Sequence, residues 1–526
     1  MLNVSGLGVS VHGQPILQDV SFAIGRGEVF GLVGESGSGK SMTALALMQL
    51  LPRGMDARGK AEFDGQDLLG LSERRMCGLR GREVGMIFQE PMSALNPVQR
   101  IGDQVAETLL VHGAVARSEA WDMAAARLAR VGLDPERVPM DRYPHELSGG
   151  QRQRVCIAMA VALRPKLLIA DEPTTALDVT TQAQILNLLR GLVEEEGMSL
   201  MLITHDLAVV ADMADRVAVM RAGRIVEAGR TEALFRKRSH PYTAQLFADS
   251  AHVPRRDPQA RDAPVLEARG VVRDYALARA GLLGPRGSFR AVDHVDLVVN
   301  TGESVGLVGE SGCGKSTLTR AILGLDPVQG GTIRLDGDAV TAGQVEGQVR
   351  AKMQVVFQDP YGSFNPRHRV GRLVAEPFHL MPRPQGEVET AVIEALQAVG
   401  MQAEDRQKFI HEFSGGQRQR IAIARAIVIR PKLVILDEAV SALDVTIRAQ
   451  ILDLLADLQG RLGLSYLFIS HDLSVVRAIT DRVLVMQQGR IVEQGKTERV
   501  FSSPQHAYTK GLIAATPQIP MDWLKA

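Results

Sequence analysis

Two glycine-rich segments of this chain have the make-up of a phosphate cradle. They are Gly34-Glu35-Ser36-Gly37-Ser38-Gly39-Lys40-Ser41 and Gly309-Glu310-Ser311-Gly312-Cys313-Gly314-Lys315-Ser316, the second continuing into Thr317. Glycines let successive backbone N–H groups turn inward around an anion, and a helix starting at the last glycine aims the positive end of its dipole there. Lys40 and Lys315 supply charge to the β- and γ-oxygens of a nucleoside triphosphate, while Ser41 and Ser316 offer hydroxyls to Mg²⁺. One such match is an occasional chance turn; two in one chain point to two nucleotide sites.

Other chemistry-bearing groups also come in pairs. Asp171-Glu172 and Asp437-Glu438 each close an apolar run. The aspartate there can hold Mg²⁺, and the glutamate can orient and deprotonate an attacking water. Gln89 follows Met86-Ile87-Phe88 and Gln358 follows Val355-Val356-Phe357, each placed as a Mg²⁺ or water ligand at a further strand end. His205 and His471 stand at equal distances beyond the two acid pairs. Ser148-Gly149-Gly150-Gln151 and Ser414-Gly415-Gly416-Gln417 precede helical patterns and offer a second helix N-terminus in each half. Each half already has one terminus for the β-phosphate. The second is therefore expected to cover the γ-phosphate held by the opposite half.

The elements that must position these groups alternate strand and helix. Glu28 to Val33 and Ser304 to Val308 read as buried strands feeding the glycine loops, and Lys166 to Ala170 and Leu433 to Leu436 as strands ending in the acids. Leu200 to Ile203 and Tyr466 to Ile469 end just before the histidines. Continuously apolar strands separated by helical patterns indicate an α/β fold with a parallel sheet covered on both faces. Between Ala94 and Ser148, and between Ser363 and Ser414, the pattern turns helical, as in Ser118 to Val131 and Glu387 to Val399. These stretches are expected to be inserted helical subdomains.

With 526 residues, 45% hydrophobic and 23% charged, each half is large enough for its own core. The repeat divides the chain into residues 1–250, a linker over 251–264 carrying Pro254, Pro258 and Pro264, and residues 265–526. Extended at roughly 3 Å per residue, that linker would reach about 40 Å. The formal net charge is zero, which gives no support to bulk electrostatic binding of nucleic acid. Three cysteines without metal-like spacing suggest free thiols in a reducing compartment. Neither a signal peptide nor an apolar stretch of membrane-spanning length is expected, so a membrane role would come through partners.

Taken together, the residues resemble the ATP-binding-cassette (ABC) ATPases over nearly the whole chain. Both halves carry the family's Walker A, Q-loop, signature, Walker B and H-loop motifs, and its D-loop as Ala176-Leu177-Asp178 and Ala442-Leu443-Asp444. The resemblance implies two P-loop NTPase cassettes in tandem, each with a mostly parallel sheet core, an antiparallel β region and a helical insertion. It also implies a head-to-tail nucleotide sandwich. One site would combine Lys40, Ser41, Gln89, Asp171, Glu172 and His205 with Ser414 and Gly416. The other would combine Lys315, Ser316, Gln358, Asp437, Glu438 and His471 with Ser148 and Gly150. The histidines would contact the γ-phosphate.

A finer resemblance is to the oligopeptide/dipeptide/nickel branch of ABC importers, especially fused double cassettes of the glutathione and microcin C importer kind. It rests on Gln89-Glu90-Pro91 leading to Leu95-Asn96-Pro97 and Gln358-Asp359-Pro360 leading to Phe364-Asn365-Pro366. Beyond the histidines, His240-Pro241-Tyr242-Thr243 and His506-Ala507-Tyr508-Thr509 carry it too. This implies an ATPase coupled to import, peripheral on the cytoplasmic face of the inner membrane. Its partners would be two integral-membrane permease subunits and an extracytoplasmic solute-binding protein, with peptides as the default cargo and no nucleic acid.

The chain departs from that pattern in places. Where the family stacks adenine on an aromatic ring, the first half reads Gly8-Val9-Ser10-Val11-His12, while the second offers Tyr275. The tails after Tyr242 and Tyr508 hold no cysteine, so no iron–sulfur cluster is expected. Cys313 lies inside the second phosphate loop, where a helix N-terminus could lower its pKa, or where it is simply an inert small residue in the place of Ser38. The alternative to an importer is a soluble tandem ABC ATPase acting on ribosomes or nucleic acid. Relatives of that type carry a long charged helical arm, and here the connection is short and proline-containing.

Overall fold

The computed structural model describes residues 1–113, 115–175, 177–256, 260–277, 287–381, 383–441 and 443–524. Ala176, Ala442 and Pro258, named above, lie outside the described residues. The chain forms two compact units. One is Met1–Ala251 with Asp444–Thr446 and Pro517–Ala526; the other is His252–Leu443 with Ile447–Thr516.

In the first unit a six-stranded sheet runs in the order Arg224–Arg230, Arg216–Arg221, Val29–Val33, Ser199–Thr204, Leu167–Asp171, Val84–Ile87. Every neighbour is parallel except the first pair, which is antiparallel. Val29–Val33, Leu167–Asp171 and Ser199–Thr204 are buried along their whole length, as strands packed on both faces must be. Register puts Val33 opposite Thr204 and Asp171 opposite Ile203. The phosphate loop, the acid pair and His205 therefore leave the sheet at one edge, beyond the carboxyl ends of its strands, where open α/β sheets hold their ligands. A second, antiparallel sheet pairs Leu2–Val11 with Gln14–Ile24 and Met55–Phe63.

The second unit repeats this plan. Its main sheet runs Met353–Val356, Leu433–Asp437, Ser465–Ile469, Ser304–Val308, Arg482–Gln487, Arg490–Lys496, again with one antiparallel edge pair. Pro264–Ala276, Ser288–Asn300 and Gly330–Leu335 form its antiparallel sheet. The helical insertions appear as Ile101–Val111 and Arg117–Arg130 in one unit, and as Val370–Ala375 and Gln385–Ala398 in the other. Their apolar faces join one core with the helices Gly149–Ala160 and Gly415–Ile427. On the amino-terminal side of residues 257–259 the chain is bonded to the second unit. His252 Nε2 lies 2.7 Å from Asp453 Oδ1, Arg256 pairs with Asp481 at 3.0 Å, and Pro254 is buried.

Candidate functional site

Both phosphate loops are built from positive-φ glycines: Gly37 and Gly39 at 76° and 104°, Gly312 and Gly314 at 78° and 111°. The requirement at Gly39 is steric as well, because a Cβ there would sit 2.4 Å from Leu17 Cδ2. The helices Lys40–Leu47 and Lys315–Ile322 start directly after these glycines. Lys40 Nζ donates to the carbonyls of Gly34 (2.8 Å) and Glu35 (2.9 Å), curling over its own loop. Lys315 does the same to Gly309 (2.6 Å) and Glu310 (2.8 Å). Burial holds the Lys40 ammonium below its usual range, against the opposing pull of Glu172 and Asp171.

Around these loops stand the acids and histidines. Ser41 Oγ donates to Asp171 Oδ1 at 3.0 Å. Burial pushes Asp171 up to about 6; the Ser41 hydrogen bond opposes that rise, and the Glu172 charge adds to it. Asp437 is likewise pushed up to about 6, by burial and then by Glu438. Glu172 goes the other way. Burial raises it, but the His205 contact, with Thr175 and Lys40 behind it, overcomes the penalty and holds it at about 2. Burial also opposes ionisation of Glu438, whose pKa is nonetheless lowered by the contact with His471. His205 Nδ1 is 3.3 Å from Glu172 Oε1, and His471 Nδ1 is 3.2 Å from Glu438 Oε1. Equal spacing in sequence thus becomes equal contact in space.

The two units differ at the other carboxylate oxygen. Glu172 Oε2 accepts from Gln89 Nε2 (3.1 Å) and Thr175 Oγ1 (2.8 Å). At the position of Thr175, Ser441 instead donates to the backbone carbonyl of Glu438 at 2.9 Å. Gln89 therefore meets the glutamate, whereas Gln358 lines a cleft of about 830 Å³ together with Asp437, Phe357 and Arg425. Glu172 and Glu438 share one property that no side-chain pattern encodes: both sit in the left-handed backbone region, at φ 49° and 51°. A non-glycine residue there is strained by roughly 1–2 kcal/mol. Amides at Glu172 and Glu438 donate back to Ile203 and Ile469 of the adjoining strand, which fixes the turn.

The Ser-Gly-Gly-Gln segments are helix N-caps in both units. Ser148 Oγ accepts from Gln151 N (3.3 Å) while Gln151 Oε1 accepts from Ser148 N (3.0 Å), and Ser414 with Gln417 repeats the box. A hydroxyl that accepts keeps its own proton to donate elsewhere. A Cβ at Gly150 or Gly416 would fall 2.4 Å from Thr181 Cγ2 or 2.6 Å from Ile447 Cγ2, so a side chain there would force those neighbours to shift. Among the described residues no hydrogen bond joins Ser148–Gln151 to the phosphate loop, acids or histidine of their own unit.

Tyr275 is tied to the phosphate-loop helix indirectly: its hydroxyl donates to Asp326 Oδ2 (3.1 Å), which also accepts from Arg320 (2.9 Å). The Arg273 guanidinium lies 4.5 Å from its ring centre. At Cys313 burial works against a field-lowered thiol and favours the inert small residue. That side chain is buried, and burial raises its pKa despite Lys315 Nζ at 3.8 Å. Alkylation of the native chain should therefore leave ATPase activity intact; activity lost in step with mass added at Cys313 would refute that.

Mg²⁺ suits the donors that meet here. Among the described residues no cluster of three or more His, Cys, Asp or Glu side chains forms a metal cage. A hydroxyl beside one carboxylate is the sparse oxygen set of an ion that keeps waters and substrate phosphates as its remaining ligands.

Residues 17–175 and 292–441 match the family described as ABC transporter. Residues 226–271 and 492–525 match the oligopeptide/dipeptide transporter C-terminal region. The chain is 47% identical over 528 residues to the peptidoglycan transport ATP-binding protein YejF of Agrobacterium fabrum, covering 98% of this chain and 96% of that one. It is 45% identical over 559 residues to the glutathione import ATP-binding protein GsiA of Salmonella paratyphi A, covering 98% and 89%. Among solved structures, cbiO1 from Clostridium perfringens, part of an ABC transporter complex, aligns with a TM-score of 0.41 at 28% identity. That alignment covers 46% of this chain and 92% of that one.

Proposed function

Because this chain belongs to the ABC transporter family, we propose that it is the double ATPase powering import of a peptide-like solute. The observation that carries this reading is the twofold recurrence of one set of groups. Lysine, aspartate, glutamate and histidine stand at one sheet edge in each unit, with matching lysine–carbonyl and histidine–glutamate contacts. The match to the oligopeptide/dipeptide C-terminal region in both halves, and relatives named for glutathione and peptidoglycan transport, favour peptide-like cargo. They do not favour a tandem ATPase acting on ribosomes or nucleic acid.

In this mechanism Lys40 and Lys315 leave their loop carbonyls for phosphate oxygens, and the loop amides cradle the β-phosphate. Ser41 with Asp171, and Ser316 with Asp437, would hold Mg²⁺, which neutralises charge on the β- and γ-phosphates. Glu172 and Glu438 take the proton of the attacking water as its oxygen bonds to the γ-phosphorus and the bridging bond to the β-phosphate breaks. ADP, phosphate and a proton result. His205 and His471 bond the γ-phosphate, and Gln89 and Gln358 orient water or Mg²⁺. Ser148–Gln151 and Ser414–Gln417 close over the nucleotide of the opposite half in a head-to-tail sandwich, in which binding pulls and hydrolysis releases. Among the described residues no helix is long and apolar enough to cross a membrane. Two permease subunits and an extracytoplasmic binding protein would complete the importer at the cytoplasmic face.

Uptake of labelled di- to decapeptides by cells lacking this chain tests the reading. Restoration by the wild type, and not by the Glu172→Gln/Glu438→Gln double variant, is expected. Uptake unchanged by the deletion would refute peptide cargo.

The two sites should differ in affinity. Stacking a base on an aromatic ring is worth about 1–3 kcal/mol, and where the family stacks adenine the second half offers Tyr275 while the first has only the His12 ring as a substitute. Nucleotide titration of Lys315→Ala and Lys40→Ala, each leaving one loop intact, should show roughly tenfold weaker binding at the Lys40 site. Equal affinities would sink the idea.

A further inference from the structure

The His-x-Tyr-Thr segments stand apart in sequence from every phosphate motif, yet each ends on a phosphate loop. Tyr242 Oη accepts the backbone N–H of Glu35 at 3.3 Å, and Tyr508 Oη accepts that of Glu310 at 2.9 Å. The peptide unit between Gly34 and Glu35 is thus gripped from both sides, its carbonyl by Lys40 and its N–H by Tyr242. The unit between Gly309 and Glu310 is gripped in the same way by Lys315 and Tyr508.

Each tyrosine is held by a rigid framework. Glu227 accepts the amides of Ser239 (2.9 Å) and His240 (3.1 Å), as Glu493 accepts those of Gln505 (2.8 Å) and His506 (3.0 Å). His240 Nδ1 then caps the helix Pro241–Ser250 by accepting Tyr242 N, and His506 Nδ1 caps Ala507–Ala514 by accepting Tyr508 N, both at 3.2 Å. The Tyr242 ring is buried under the Arg221 guanidinium, 4.7 Å from its centre.

We propose that Tyr242 and Tyr508 are positioning residues of the two ATP sites, each fixing the first peptide plane of its phosphate loop when the lysine turns away to the nucleotide. Lys40 cannot bond phosphate oxygens and keep both of its loop carbonyls, so on ATP binding the tyrosine becomes the remaining hold on that plane. Without it a half-buried N–H loses its partner and that plane loses a restraint, so cradle order must be regained on binding. The loss falls on affinity, because the groups that touch the reacting water are elsewhere.

This inference rests on reading Gly34–Ser41 and Gly309–Ser316 as ATP sites. Its test is mant-ATP titration and hydrolysis kinetics of full-length Tyr242→Phe and Tyr508→Phe, each in the wild-type, Lys40→Ala and Lys315→Ala backgrounds. Removing one oxygen keeps the ring packing, so the fold is expected to persist. Tyr242→Phe should weaken binding at the Lys40 site about fivefold to tenfold and leave the Lys315 site unchanged; Tyr508→Phe should do the reverse. In the wild-type background KM should rise while kcat stays within about twofold. Unchanged affinity in the phenylalanine variants, or equal losses at both sites with a fall in kcat, would overturn the inference alone. A wild-type chain that bound no mant-ATP would overturn the site reading as well.

Discussion

Replacing Glu172 or Glu438 by glutamine should each slow hydrolysis at the substituted site by about 10²–10⁴-fold, the usual contribution of a positioned general base, and so visibly lower total ATP turnover. Glutamine keeps the shape but cannot accept the proton that the attacking water gives up. Both losses are expected because both glutamates occupy the same left-handed turn and meet a histidine at nearly the same distance. ATP binding should survive, since the lysines and loop amides are untouched. Phosphate release measured for each single variant decides the matter. If one substitution were silent, that site would not contribute to turnover.

The second large effect separates two adjacent residues by sign. With its pKa raised from 3.8 to about 6, the Asp171 carboxylate is disfavoured by the fold. The penalty is absent below the unfolded value, grows between about pH 4 and 6, and is fully present above. At about 1.4 kcal/mol for each tenfold change in proton affinity, it costs the nucleotide- and metal-free chain about 3 kcal/mol at neutral pH. Asp171→Asn should therefore raise the melting temperature by several degrees at pH 8 in EDTA and leave it unchanged near pH 4, while abolishing turnover. Glu172 is lowered from 4.5 to about 2. Its contribution is stabilising above pH 4.5 and is lost as pH falls through about 2. The histidine contact counts as a charge pair only while the imidazole is protonated, so Glu172→Gln should lower the melting temperature near pH 5. Calorimetry of Asp171→Asn at pH 4 and pH 8 and of Glu172→Gln at pH 5 checks both signs, and a melting temperature raised by Glu172→Gln at pH 5 would refute the electrostatic account.

The strands carrying the loops, acids and histidines were legible because parallel strands buried on both faces are continuous apolar runs, as Leu167–Asp171 and Ser465–Ile469 are. Positive φ at Glu172 and Glu438 could not be read, because glutamate is not a residue that announces a left-handed turn. Nor could the grip of Tyr242 on Glu35, which spans 207 residues and uses a backbone N–H that no side-chain pattern encodes. Thr175 and Ser441 look interchangeable as letters, yet one hydroxyl bonds a carboxylate and the other a carbonyl. Gly150 reads as part of an anion-binding helix start, but the contact that excludes a side chain there comes from Thr181 of its own unit.

The left-handed turn at the acid pair bears on how defective alleles would behave in a cell. Glycine at position 172 or 438 would delete the base and the stabilising histidine contact but relieve the backbone, so such a chain is expected to accumulate to higher levels than one carrying glutamine there. Co-expressed with the intact gene, it would compete for the same permease and suppress uptake. Loss-of-function changes in the buried strands would unfold and be recessive; those at these two glutamates would be dominant.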